Sequence, residues 1–183
     1  DSRGIRVANV NQTDTIVVVW WNNGADDIHA RIVDAANGSL NAAELDVAVG
    51  GDVEMEPDVG GETSTVDDDA IVTWWNASTN SILAAQIQTS SATVIDETTL
   101  YTSSAIPPAS PQISNGNGET GNHMVVFTID YGSDRDPRGV VFDRNITILD
   151  SAVYFSLSLD DEKDVAVDGD GRSWVAAWAT IDP

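Results

Sequence analysis

An aromatic residue closes a short apolar run four times along this chain, at intervals of about fifty residues. The four closing aromatics are Trp20, Trp74, Phe127 and Trp178. The runs are apolar at successive positions, which is typical of a strand that is covered on both faces. This period predicts a repeat architecture in which one small unit packs against the next along the chain.

Each repeat is expected to contain up to four short strands, separated by turns rich in Asn, Asp and Gly. The first strand of each repeat is predicted at 5–10, 58–60, 112–114 and 164–167, and the aromatic-closed run is the second strand. In the third repeat, a polar loop over 130–138 is expected to join the second strand to the third. The pattern predicts an all-β fold, a β-propeller segment of about three and a half four-stranded antiparallel blades.

Several segments of the chain carry blade-like motifs. Residues 57–59 are Pro-Asp-Val, residues 111–113 are Pro-Gln-Ile, residues 139–143 are Gly-Val-Val-Phe-Asp, and residues 168–178 run from Asp-Gly-Asp-Gly to Val-Ala-Ala-Trp. These motifs resemble the blade repeats, roughly fifty residues long, of secreted microbial β-propeller proteins of sialidase-like shape. The resemblance covers nearly the whole chain. The aspartate box of sialidases, S-x-D-x-G-x-T-W, is absent from the sequence, which argues against a sialidase-type site.

The repeats fall at about 3–50, 57–106, 111–158 and 163–183. They predict a single β-propeller domain over 1–183, or a fragment of one, in which the fourth repeat is incomplete. Propellers usually have about four to eight blades. We therefore expect another chain, or a further part of the same chain, to complete the propeller.

The chain is strongly acidic, with 30 acidic and 8 basic residues and a formal net charge of −22. Such a charge repels phosphates and argues against binding to nucleic acid. No apolar run is long enough for membrane insertion, and the absence of cysteine excludes disulfides. The acidic surface can serve solubility, or its carboxylates can bind divalent cations.

A short acidic segment offers the clearest cation ligands. Asp130, Asp134 and Asp136 lie close together in sequence, with a glycine between them for the bend, and are the candidate ligands of a Ca²⁺ ion. Arg135 and Arg138 offer an alternative, in which they neutralise the same carboxylates.

Three aromatic residues are the candidates for binding a ligand. Trp21 and Trp75 each follow a closing aromatic, so their side chains point to the opposite face of the sheet, beside a polar loop. A ring in that place can stack on a sugar or a peptide, with core packing as the alternative. Tyr131, in the acidic segment, is the third candidate.

No catalytic residue is predicted. The two histidines, His29 and His123, lie in different repeats, and no nucleophile elbow, zinc helix or phosphate loop is present. Four Asn-x-Ser/Thr sequons in predicted turns are candidate glycosylation sites, unless Asn stands there simply because it favours turns. They are Asn11, Asn37, Asn76 and Asn145.

We therefore expect a non-catalytic extracellular or cell-surface module, of the kind used in adhesion, that binds a glycan or protein partner through loops at one end of the ring. One alternative is a carbohydrate-active, glycosidase-like enzyme that uses loop carboxylates. Another is a structural subunit of a larger surface assembly.

Overall fold

The computed structural model describes residues 2–104, 106–116, 120–132, 134–158, 160–169 and 173–181. Within these residues the chain forms strands and no helix, and therefore has no helix that could span a membrane. The strands are β1 (Ser2–Val10), β2 (Thr15–Asn22), β3 (Asp27–Asp34), β4 (Leu45–Ala48), β5 (Glu54–Gly61), β6 (Asp69–Asn76), β7 (Ser81–Gln88), β8 (Thr93–Thr102), β9 (Pro108–Ile113), β10 (His123–Asp130), β11 (Arg135–Phe142), β12 (Ile148–Tyr154), β13 (Asp161–Gly169) and β14 (Trp174–Ile181).

The strands pair in sequence order into antiparallel sheets. β1–β4, β5–β8 and β9–β12 form three four-stranded sheets, and β13 pairs with β14 in the described part of the fourth repeat. The first strand of each sheet packs against that of the next: β1 against β5, β5 against β9, and β9 against β13. The predicted all-β fold of stacked, blade-like sheets is confirmed.

The closing aromatics pack between successive sheets, as the apolar runs indicate. Trp74 lies in the core shared by the first and second sheets, Phe127 in that of the second and third, and Trp178 in that of the third and fourth. Each of these rings faces the preceding sheet. The corresponding ring of the first sheet, Trp20, is half-buried and stacks on His29, with ring centroids 6.0 Å apart.

The first strand of each sheet is longer than predicted, because it contains a bulge. Its register shifts near a residue with positive φ in every sheet. The residues are Gly4 at 59°, Glu56 at 55°, Ser110 at 52° and Asp164 at 54°. The bulge lets pairing continue through polar positions that the sequence pattern marks as the end of a strand.

The loop predicted over 130–138 is wrong in extent. β10 continues to Asp130 and β11 begins at Arg135, so Asp136 pairs with Ile129, and Pro137 pairs with Thr128. The polar side chains here belong to a tight hairpin. Residues 131–134 alone connect its strands, and Ser133 lies outside the described residues.

Candidate functional site

A cavity of about 400 Å³ opens where the first strands of all four sheets converge. Each of these strands contributes two residues to its wall, and the end of β2 contributes one aromatic side chain. The lining residues are Gly4, Arg6, Trp21, Glu56, Pro57, Ser110, Gln112, Asp164 and Val165. The four bulge residues are all among them, so the repeated bulge is what shapes the wall.

Trp21 supplies the aromatic face of the cavity. It pairs with Arg3 at the end of the first hairpin and packs against the core between the first and second sheets. Its indole Nε1 is buried and has no hydrogen-bond partner among the described residues. The cavity therefore lies toward the end of the sheets at which the β2–β3 turn and the connections between sheets are found.

Polar groups of the wall are held by contacts between sheets. Glu56 Oε2 accepts hydrogen bonds from the backbone nitrogen of Ser110 at 2.8 Å and from its hydroxyl at 3.3 Å. Arg6 is the only positively charged residue in the described lining, and its Nε lies 3.7 Å from Asp58 Oδ1. An aromatic face bordered by carboxylate, amide, hydroxyl and guanidinium groups can bind a polar ligand that carries an apolar face.

The other two aromatic candidates lie elsewhere. Trp75 packs against the core between the second and third sheets, and its ring is not part of the cavity wall. Tyr131 lines a separate cavity of about 210 Å³, together with Tyr154 and Arg138. Arg138 lies 3.8 Å above the centre of the Tyr154 ring and donates a hydrogen bond to the Tyr131 hydroxyl at 2.9 Å. The three aromatic candidates therefore do not form one platform.

The structure brings together two of the three carboxylates considered as Ca²⁺ ligands. Asp134 and Asp136 each place a ligand oxygen within 4.8 Å of an oxygen of Glu162, which sequence reasoning did not single out. Asp130 is not part of this cluster. It is exposed, and its Oδ1 accepts a hydrogen bond from the backbone nitrogen of Gly132 at 2.7 Å.

A third cavity, of about 180 Å³, lies between the first and second sheets and is lined in part by Glu54 and Asn76. Asn76 donates hydrogen bonds to Glu54 Oε1 at 2.9 Å and to Asp52 Oδ2 at 3.2 Å. Burial raises the pKa of Glu54 to about 7, and the neighbouring carboxylates of Glu97 and Asp52 add to the effect.

The four sequons differ in their surroundings. Asn37 and Asn145 are exposed in turns. Asn11 is exposed too, and its Nδ2 donates to the Thr63 carbonyl oxygen at 2.8 Å. Asn76 is buried. Its amide nitrogen, which would carry a glycan, donates hydrogen bonds to Glu54 and Asp52. Glycosylation stays a prediction that these surroundings favour at Asn37 and Asn145.

His123 has a structural environment. It is fully buried, stacks on Phe142 with ring centroids 5.7 Å apart, and has Nδ1 3.2 Å from the Ser114 carbonyl oxygen. Burial lowers the pKa of His123 to about 4, so its imidazole is neutral at physiological pH. A neutral ring can donate from Nδ1 to that carbonyl.

Of the residues in the cavity wall, sequence reasoning named only Trp21 as a candidate and missed the others, including Arg6, Gln112 and all four bulge residues. An alignment of the four repeats with one another could have identified the bulge residues, because they occupy equivalent positions in the first strand of each repeat. These residues are Gly4, Glu56, Ser110 and Asp164. Their residue types have nothing in common, so no composition or motif marks them.

No protein-family model and no curated protein matches the chain. Among solved structures, the chain is similar to a polysaccharide lyase of a new family, the PL25 ulvan lyase bound to -[GlcA(1-4)Rha3S]-, with a TM-score of 0.57 and 9% identity. The match covers 98% of this chain and 52% of that one, so the chain spans about half the length of the lyase. A nidogen/laminin complex matches with a TM-score of 0.42 and 15% identity, over 89% of this chain and 51% of that one. The first likeness extends over the stacked sheets and agrees with a propeller-type fold.

Proposed function

We propose that the chain is a non-catalytic, extracellular carbohydrate-binding module that holds a neutral saccharide in the cavity around Trp21. The observation that carries the proposal is the presence of an aromatic ring, hydrogen-bonding side chains and all four first strands around one cavity. The apolar face of a sugar ring can pack on an indole, while its hydroxyls bond to carboxylate and amide groups.

The charge of the protein favours a neutral ligand. The net charge of −22 and the carboxylates of Glu56 and Asp164 in the wall repel an anionic polymer, and Arg6 alone opposes them there. The fold likeness to a polysaccharide lyase supports a carbohydrate as the class of ligand. The negative charge of the cavity wall argues against an acidic sugar within that class.

Adjacent tryptophans provide a matched test of the binding proposal. Neutral oligosaccharides found on a glycan array would be titrated calorimetrically into the wild type, Trp21→Ala and Trp20→Ala. We expect Trp21→Ala to weaken binding by about tenfold or more, since about 1.4 kcal/mol of lost stacking suffices. Trp20 lies on the opposite face of the same strand, stacked on His29, so Trp20→Ala should bind as the wild type does. Equal affinity in both variants, or no binding by the wild type, would exclude the proposal.

A glycosidase-like activity is the second candidate, because Glu56 and Asp164 line the same cavity and two carboxylates are what such enzymes require. The bonds from Ser110 to Glu56 favour a structural role for that carboxylate, which is why binding stands first. The enzyme would be established if the wild type released reducing ends from a polysaccharide and both Glu56→Gln and Asp164→Asn abolished this release. The control Asp168→Asn, which alters an exposed acid outside the cavity, should keep it. Binding without such release would support the module.

A further inference from the structure

Three carboxylates meet at the boundary between the third and fourth sheets. Asp134 and Asp136 come from the β10–β11 hairpin, and Glu162 lies near the start of β13. One oxygen from each residue lies within 4.8 Å of one oxygen from each of the others. At this spacing like charges repel, unless a cation or protons neutralise them.

Two of the three residues are buried, and each of the three has one oxygen without a hydrogen-bond donor among the described residues. Asp136 is 5% exposed and Glu162 is 2% exposed. Asp136 Oδ1, Glu162 Oε2 and Asp134 Oδ1 are buried and have no hydrogen-bond partner among the described residues. A buried carboxylate oxygen without a partner is costly, and each of the three clustered residues has one, which indicates a missing positive group.

The neighbours of the remaining oxygens compensate the charge of the cluster only in part. Glu162 Oε1 accepts hydrogen bonds from the hydroxyls of Ser156 at 2.7 Å and Ser158 at 2.6 Å, which fix the orientation of the carboxylate. Arg138 Nη2 lies 3.8 Å from Asp136 Oδ2, which is too far for a hydrogen bond. Its guanidinium is also engaged by Tyr131 and Tyr154.

The second arginine of the hairpin is used elsewhere. Arg135 forms a two-pronged ion pair with Asp161, in which Nε lies 2.7 Å from Oδ1 and Nη2 lies 2.6 Å from Oδ2. The charge of Arg135 is therefore paired with Asp161 and not with the three carboxylates.

We propose that Asp134, Asp136 and Glu162 bind a hard divalent cation, Ca²⁺, which joins the third sheet to the fourth. Carboxylate oxygens are the preferred ligands of Ca²⁺, and its flexible coordination sphere admits water or backbone carbonyls in the remaining positions. The ion would neutralise the buried oxygens and hold β13 against the β10–β11 hairpin. This site is independent of the cavity around Trp21.

The test uses Ca²⁺ itself on protein first stripped with EDTA and then dialysed. Calorimetric titration of the wild type should give a saturable site, and Ca²⁺ at about one hundred times its Kd should raise Tm by about 5–10 °C. Because a chain of charge −22 is stabilised by any salt, each melt is compared with NaCl at the same ionic strength. A rise in Tm no larger than that in NaCl, with no calorimetric binding, would overturn the proposal.

Matched variants locate the ion. Glu162→Gln keeps an oxygen for the two serine hydroxyls but removes the charge, and the partly exposed Asp134→Asn offers a second variant where the first fails to fold. Both should lose the calorimetric signal and the Ca²⁺-dependent rise in Tm. The control Asp130→Asn alters an exposed acid of the same hairpin and should bind as the wild type does. Loss of binding in Asp130→Asn, or its retention in both cluster variants, would overturn the assignment.

Discussion

The carboxylate of Asp58 accepts a hydrogen bond from the backbone nitrogen of Ile113 at 2.8 Å, which ties the first strand of the second sheet to that of the third. Asp58 is buried, and burial raises the pKa of its carboxyl. Arg6 of the first sheet approaches the other oxygen, with Nε 3.7 Å from Oδ1. One side chain thus connects three successive sheets beside the cavity.

Removing this acceptor should weaken the stack of sheets. Asp58→Ala leaves the buried N–H of Ile113 without a partner, and we expect a loss of about 1–3 kcal/mol in the free energy of unfolding. Asp58→Asn keeps an oxygen that can accept this bond and should lose less. Urea denaturation of both variants measures the difference, and an equal loss in the two would show that the hydrogen bond is not the cause.

At two adjacent glycines, Gly60 and Gly61, β5 lies very close to the backbone of the sheets on either side of it. A Cβ on Gly60 would overlap the carbonyl oxygen of Ser114, and one on Gly61 would overlap that of Asn9. Both obstacles are backbone atoms, so they cannot rotate away. We expect Gly60→Ala and Gly61→Ala each to lower the free energy of unfolding by about 1–3 kcal/mol or more.

Gly50 provides the control for these glycine variants. It is exposed, and a Cβ there would meet nothing within 4 Å. Gly50→Ala should therefore change the free energy of unfolding by no more than about 0.5 kcal/mol. If Gly61→Ala were as stable as Gly50→Ala in urea, the close approach of the sheets would be contradicted.

The closing aromatics differ in burial, so replacing them by alanine should destabilise the protein to different extents at equivalent positions of the repeats. Trp74 is fully buried between two sheets, whereas Trp20 is half-buried. Trp74→Ala should lower the free energy of unfolding by about 3–5 kcal/mol, the range for a large aromatic removed from a core. Trp20→Ala should cost clearly less in the same denaturation experiment. Equal costs would mean that the two rings do not differ in packing as described.

Local patterns were enough to predict the repeating sheets. The runs that end at Trp74 and Phe127 are apolar at successive positions because each strand is covered on both faces by neighbouring sheets. The opposite orientation of Trp21 relative to Trp20 also followed from the alternation of side chains along a strand. These features depend on residues close in sequence, which is why the sequence reveals them.

The candidate sites depend on contacts between repeats, which no local pattern encodes. Glu162 meets Asp134 and Asp136 only because the fourth sheet packs against the third. The cavity wall likewise takes Arg6 from the first sheet and Asp164 from the last described one. The bulges that shape the wall introduce polar residues into strands, and a pattern of apolar residues treats such positions as loops.

The buried carboxyl of Glu54 should make stability depend on pH. Its pKa is raised from 4.5 to about 7 in the folded protein, chiefly by burial. Because the folded state then binds more protons than the unfolded state, this contribution is fully present below pH 4.5 and is lost as pH rises through 7. The loss attributable to Glu54 is at most about 3–4 kcal/mol, because each tenfold difference in proton affinity between the two states corresponds to about 1.4 kcal/mol.

Glu54→Gln isolates this contribution, because the amide is neutral at every pH and keeps an oxygen for Asn76. Urea unfolding between about pH 5 and pH 8, at constant ionic strength, should show a smaller decline in the free energy of unfolding for Glu54→Gln than for the wild type. Asp168→Asn removes an exposed carboxyl and should keep the wild-type slope. The decline does not vanish in Glu54→Gln, because burial also raises the pKa of Asp58 and Glu62. An unchanged slope in Glu54→Gln would show that Glu54 titrates at its ordinary pKa and that its cavity is better hydrated than its burial indicates.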